Sequence, residues 1–221
     1  LPDTTKPAAL FSLSDKSGSV ELARALAARG TAIYATGGTK RHLEEHGIAA
    51  FDIGEMTGFP ALFDGRVKTL HPKVFGAILY DRDNADHRAQ AEKYAIAPIT
   101  TVVVNLYPFE ATVSKAGTTL EEAIEQIDIG GVSLLRAAAK NFAHVAVLTH
   151  PSQYEEYLVA LGAGNVTKAM HRKFAVAAFE RTAEYDVAIS HYLGSEGQVL
   201  PSDLPGALAL TLPLTQRLRY G

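Results

Sequence analysis

The sequence predicts an α/β protein whose mostly parallel sheet carries helices on both faces. Short β-rich runs alternate with helical periodicities through the first two-thirds of the chain, the pattern of a parallel sheet built through crossover helices. A continuous Val102-Val103-Val104 run reads as a strand buried on both faces. With 221 residues, 47% of them hydrophobic, the chain is long enough to bury a substantial core unaided.

Ala8 to Leu13 is a short apolar strand, followed by Ser14-Asp15-Lys16-Ser17-Gly18. Val20, Ala23, Leu26 and Ala27 then recur at helical spacing until Gly30 stops the helix. Thr31 to Thr36 reads as a second strand, Gly37-Gly38-Thr39 opens a short helix that Gly47 ends, and Ala49 to Ile53 is a weaker third strand. Residues 54–74 have neither period, and their Phe59, Leu62, Phe63 and Leu70 argue against disorder, so a functional loop is expected there. Phe75 to Tyr80 and Thr100 to Asn105 are further strands, with a charged helix from Asn84 to Tyr94 between them. Thr119-Leu120-Glu121-Glu122 has the capping-box spacing, and Leu120, Ala123, Ile124 and Ile127 form the stripe behind it. After Gly130-Gly131, Val132 to Lys140 is rich in helix formers, and His144 to Thr149 is the last strand. A second capping box is expected at Ser152-Gln153-Tyr154-Glu155, a long helix over Asn165 to Leu193, and a linker or irregular tail through Pro201, Pro205 and Pro213.

Composition removes several classes. Zero cysteines exclude a disulfide framework, an iron–sulfur cluster and a thiolate zinc site. A formal charge of −3 argues against a bulk electrostatic nucleic-acid binder. No apolar run approaches the roughly 18 residues a membrane span needs, and no signal-peptide pattern opens the chain, so the expected location is the cytoplasm.

In an open parallel sheet, ligands sit beyond the carboxyl ends of the strands. Two loops there have suitable chemistry: Ser12, Ser14, Lys16, Ser17 and Gly18, then Thr36, Gly37, Gly38 and Thr39. Hydroxyls, unpaired N–H groups, a lysine and a positive helix end suit a phosphate, although the same residues are common turn and cap residues. Neither loop is a Walker A or a G-x-G-x-x-G motif, which disfavours an NTPase or a dinucleotide enzyme. His42-Leu43-Glu44-Glu45-His46 matches the inverted zinc-protease pattern, but on so short a helix it also reads as a solvated face. Gly65-Arg66-Val67-Lys68-Thr69-Leu70-His71-Pro72-Lys73 gathers cations, a histidine and a hydroxyl that suit an anion. Asn105 and Tyr107 end a buried strand near the same crevice. Asp128 and Lys140 stand on consecutive elements as a proton-handling pair or, equally, as helix-end residues.

Four ordered segments carry a resemblance: Arg66 to Pro72, Asn105 to Phe109, Gln126 to Gly131 and Leu134 to Asn141. Over about residues 8–200 the chain resembles the IMP cyclohydrolase domains of bifunctional AICAR transformylase/IMP cyclohydrolases. The resemblance implies a methylglyoxal-synthase-like fold: three α/β/α layers around a mostly parallel five-stranded sheet, with a C-terminal helical extension. The cyclohydrolase domain is expected over residues 8–150 and the extension over residues 151–221, whose closing Arg217-Leu218-Arg219-Tyr220-Gly221 would lead toward a transformylase domain. It implies closure of 5-formamidoimidazole-4-carboxamide ribonucleotide (FAICAR) to inosine monophosphate (IMP) with loss of water, without metal or other cofactor. Lys68, Tyr107, Asp128 and Lys140 match catalytic positions, and Ser12, Ser14, Lys16, Thr36, Gly37, Gly38, Thr39, Arg66, Thr69, Asn105 and Gly130 match the nucleotide surroundings. Asp128 would assist deprotonation of the carboxamide with Lys140 positioning it, while Lys68 and Tyr107 donate to the formyl oxygen. A homodimer is expected, with no nucleic-acid or membrane partner. The alternatives are a methylglyoxal-synthase-type lyase on a smaller phosphate ester, or a non-catalytic nucleotide-sensing module.

Overall fold

A computed structural model describes residues 6–195 together with Leu212 and Gln216. The tail expected at Pro201, Pro205 and Pro213, and the closing Arg217–Gly221, lie outside the described residues. In chain order the elements are β1 (Ala8–Leu13), α1 (Ser19–Ala27), β2 (Ala32–Ala35), α2 (Gly37–Glu45), β3 (Phe51–Asp52), α3 (Ile53–Thr57), α4 (Pro72–Leu79) and α5 (Ala85–Lys93). They continue with β4 (Ile99–Asn105), α6 (Phe109–Val113), α7 (Leu120–Glu125), α8 (Gly130–Lys140), β5 (Ala146–Leu148), α9 (Tyr154–Gly162) and α10 (Lys168–Ser195).

The five strands are all parallel, in the order β3-β2-β1-β4-β5. From β1 the chain steps outward through β2 to β3, then returns to lay β4 and β5 on the other side of β1. Right-handed crossovers therefore put α1 and α2 on one face and α4 and α8 on the other. Helix α9 packs on α1, which completes the three layers. Alanine, leucine, phenylalanine and valine side chains of β1 and β4, fully buried or nearly so, form the centre of the core.

Two compact units divide the described chain: residues up to Tyr107 with Asp128–Arg181, and Pro108–Ile127 with the chain from Thr182 onward. The first contains the whole sheet. In the second, the Phe109 ring meets Tyr185 at 6.2 Å and Tyr192 at 5.7 Å, both edge-on, and the Tyr185 hydroxyl donates to the Gln126 carbonyl. The capping box at Thr119 forms as expected, Thr119 and Glu122 each satisfying the other's amide.

The segment from Phe75 to Tyr80, expected as a strand, is helical through Leu79, with Tyr80 as an extended C-cap. His71 and Pro72 decide this: the His71 ring accepts the Lys73 amide as an N-cap and Pro72 occupies the first turn. Val74, Ala77 and Ile78 then form a helical buried stripe, a spacing that six residues of mostly apolar sequence do not distinguish from alternation. Part of the aperiodic stretch is also ordered locally, as α3 with its Asp52–Glu55 capping box and as a tight Leu62–Val67 hairpin. The second capping box forms two residues earlier than expected. Gln153 accepts the Thr149 and His150 amides and the His150 ring accepts that of Ser152, so Pro151 rather than Gln153 begins the turn.

Candidate active site

The strand order reverses between β1 and β4, which pair with Leu13 opposite Asn105 at their carboxyl ends. Such a switch point opens a crevice above the sheet. Here the Asn105 side chain bridges it: its carbonyl accepts the Ser14 amide at 2.7 Å and the Asp15 amide at 2.9 Å, and its Nδ2 donates to the Asp15 carbonyl at 2.7 Å. Asn105, matched by the resemblance to the nucleotide surroundings, thus holds the β1–α1 loop. Thr39 is likewise buried, exchanging hydrogen bonds with the Leu13 backbone. The Thr36 hydroxyl donates to Ser12 Oγ at 3.1 Å, and Lys16 Nζ donates to the Ser14 carbonyl at 3.3 Å.

Helices α1 and α2 both start without a side-chain cap. Nothing stands within 4 Å of a Cβ placed on Gly37 or Gly38. First-turn amides of a helix lack intrahelical acceptors, so α2 presents open backbone donors beside Ser12, Thr36 and the Asn105-held loop. That is chemistry for an anion.

The second wall comes from the hairpin before α4. Leu62 and Val67 exchange backbone hydrogen bonds, and Phe63, Asp64 and Gly65 between them all have positive φ, at 54°, 54° and 92°. Lys68 folds back across Gly65. Thr69 is buried, its hydroxyl 2.9 Å from where a Cβ on Gly130 would lie. Arg66 and Lys68 are exposed.

Asp128 precedes α8, and its Oδ1 accepts the Gly131 amide at 2.7 Å. Burial pushes its carboxyl above the ordinary range, with the Gly131 hydrogen bond partly opposing. A Cβ on Gly131 would lie 2.3 Å from Asp128 Oδ2 and 3.0 Å from Leu106 Cδ2. The glycine pair therefore lets Thr69, Leu106 and Asp128 close on one helix end. Tyr107, next to Leu106, is 55% exposed and available to a ligand.

Lys68, Thr69, Asp128 and Gly130, with the 105–107 strand end, are thereby joined through a chain of contacts. Lys140 is not. It occupies the last turn of α8, about 15 Å of helix rise from Gly130, and Asn141 beyond it donates to the Ile78 and Tyr80 carbonyls at the far end of α4. There its charge complements the negative end of α8, the helix-end reading of this residue. The His42–His46 pair also lies apart from any three-ligand group among the described residues: the His46 ring bonds the His42 carbonyl at 2.8 Å, and the single such group is Asp81, Asp83 and His144. Sequence reasoning did not single out Gly65 or Gly131 for clearance; a glycine beside a chemically active side chain was the available signal. Nor did it find Tyr154, buried with its ring edge 3.3 Å from the Cβ position of Gly18 under the β1–α1 loop.

The profile of the MGS-like domain family matches residues 18–133, which include the Thr36–Thr39 loop, the Lys68 hairpin and Asp128. The chain belongs to the MGS-like domain family. Residues 138–221 of this MGS-like chain match the profile of the AICARFT/IMPCHase bienzyme family. It is 49% identical over 216 residues to the Bifunctional purine biosynthesis protein PurH of Magnetococcus marinus, covering 96% of this chain and 41% of that protein. The PurH of Rhodopirellula baltica is also 49% identical, over 214 residues, with 40% of its length covered. The chain thus spans about two-fifths of the length of these relatives. Among solved structures, a crystal structure of ForH superposes with a TM-score of 0.77 at 32% identity, covering 86% of this chain and 98% of that one. A five-stranded α/β/α sheet of the MGS-like kind is therefore established for this chain.

Proposed function

We propose that the chain is an IMP cyclohydrolase, closing FAICAR to IMP with release of water. The observation that carries this is Asp128, a half-buried carboxylate fixed at a helix end by Gly131 and linked through Gly130 and Thr69 to the Lys68 hairpin. The substrate class follows from the names of the relatives and from the AICARFT/IMPCHase match.

The substrate carries nucleophile and electrophile on one ring, so proximity is largely its own. The enzyme's task is proton handling. The carboxamide nitrogen attacks the formyl carbon, and its proton passes to Asp128, whose burial makes it a stronger base than a solvated carboxylate. Lys68 and Tyr107 donate to the formyl oxygen as it gains charge. That oxygen takes the carboxamide proton back from Asp128 to give a carbinolamine. It then leaves as water as it gains a second proton, while the formamido N–H gives one up to form the ring C=N of the closed pyrimidinone. The phosphate is held by the α2 amides at Gly37 and Gly38 with Ser12, Ser14, Thr36, Lys16 and Arg66. We further propose a cytoplasmic location, a homodimeric assembly and fusion to a transformylase half. For location, the support is that no described helix is long and apolar enough to cross a membrane.

Ultraviolet-monitored IMP formation from FAICAR by this chain tests the assignment. Lys68→Ala and Asp128→Asn are each expected to slow closure by about 10²-fold or more with the fold intact. A folded chain that forms no IMP overturns it. Release of methylglyoxal from dihydroxyacetone phosphate would favour the lyase alternative that the MGS-like fold allows.

A further inference from the structure

We propose that Gly65 is a positioning residue for Lys68, required for the absence of its side chain and not only for its backbone angle. A Cβ on Gly65 would lie 2.6 Å from Lys68 Cε and 2.8 Å from Lys68 Nζ. Ordinary van der Waals contact begins near 3.4 Å, so the ammonium rests against the bare face of this glycine. The same residue ends a run of three left-handed residues, with Phe63 and Asp64 before it. For phenylalanine that conformation is strained. Leu62–Val67 pairing and the Gly65 amide bond to the Leu62 carbonyl, at 3.1 Å, hold the run together. The hairpin thus presents a glycine face outward at the place where Lys68 returns over it.

Two roles for Gly65 predict different substitution patterns. If only its φ of 92° matters, asparagine, which tolerates left-handed backbone, is a fair replacement. If clearance matters, asparagine fails as alanine does, because both carry a Cβ that displaces the ammonium. The kinetic arm of this test rests on the cyclohydrolase assignment; the chemical arm does not.

The experiment compares wild type, Gly65→Ala and Gly65→Asn. Circular dichroism and melting confirm which variants fold; Gly65→Asn keeps the test open where Gly65→Ala does not. In the chemical arm, an amine-acylating reagent followed by peptide mass spectrometry reads the reactivity of Lys68. Clearance predicts several-fold faster Lys68 acylation in Gly65→Asn, with Lys115 and Lys168 as unchanged references. In the kinetic arm, kcat for FAICAR closure falls about 10- to 100-fold with KM nearly constant, the loss expected from a displacement near 1 Å. Combined with Lys68→Ala, Gly65→Asn then produces no further loss, since the group it displaces is gone. Wild-type Lys68 acylation in a folded Gly65→Asn overturns the proposal, as does an additive double variant. If wild type itself turns over no FAICAR, the cyclohydrolase assignment fails, and the acylation result still decides the role of Gly65.

Discussion

Gly131→Ala is the sharpest single perturbation of the site. In most helices this change is favourable, adding about 0.5–1 kcal/mol of backbone preference. Here the new Cβ would stand 2.3 Å from Asp128 Oδ2 and 2.9 Å from its Cγ, with Leu106 Cδ2 3.0 Å away. Reaching ordinary 3.4 Å contact takes the carboxylate back by about 1.1 Å. That stretches the 2.7 Å hydrogen bond from the Gly131 amide beyond usefulness, a charge-assisted bond contributing about 1.5–3 kcal/mol. After the helix gain the net loss is about 1–2 kcal/mol, a fall in Tm of roughly 2–8 °C for a chain of this size. The effect on chemistry is larger, because a 1 Å misplacement of a reacting group costs about 10²-fold in rate. The assay is FAICAR closure under saturating substrate beside a thermal melt. Gly162→Ala is the control, as nothing lies within 4 Å of its Cβ position; it should melt at or slightly above wild type and turn over normally. Wild-type turnover and melting in Gly131→Ala would refute the clearance reasoning.

Asn105→Ala removes three hydrogen bonds that hold the β1–α1 loop; KM for FAICAR should rise about 10-fold or more while kcat changes less, each bond contributing about 1 kcal/mol. Burial raises the Asp128 pKa in the folded state, so its stabilising contribution is present below the ordinary carboxylate range and lost as pH rises through the raised value. The Tm advantage of Asp128→Asn over wild type should accordingly grow as pH rises from about 4, the ordinary carboxylate value, and a pH-independent difference would contradict it. Tyr157→Phe strands the buried Thr101 hydroxyl, now 3.1 Å from Tyr157 Oη, at a cost of about 1–3 kcal/mol in chemical denaturation; adding Thr101→Val should recover most of it.

The alternation of short strands and helices made most elements legible in the sequence, because a parallel sheet imposes that order on the chain. Ala8–Leu13 has the expected bounds, and the helix expected from Asn84 to Tyr94 runs from Ala85 to Lys93 with those two residues as its caps. The failure at Phe75–Tyr80 lies in reading period from a short apolar run when the informative residues, His71 and Pro72, stood just before it. The site motifs were readable as residue types, but not which residues face a ligand. Asn105 and Thr39 carry the right chemistry and spend it on the backbone. Lys140 falls two turns and more from Asp128 along one helix, a separation visible only once α8 is known to begin at Gly130 and run unbroken.

The bridge made by Asn105 has a consequence for engineering. In the proposed reaction anion binding and proton transfer fall to separate loops, and one carboxamide fastens the first of them to β4 through that loop's backbone atoms. The bonds go to the amides of Ser14 and Asp15 and to the Asp15 carbonyl, so this fastening is independent of the loop's side chains, of which the Asp15 carboxylate adds its own bonds from the Ser17 amide and hydroxyl. With Asp15 and Ser17 kept, other side chains at Ser14 and Lys16 can therefore be introduced to accept differently charged or shaped anions. The Lys68–Asp128 side of the crevice would be inherited unchanged, provided residue 105 stays asparagine and Gly18 keeps its left-handed turn over Tyr154.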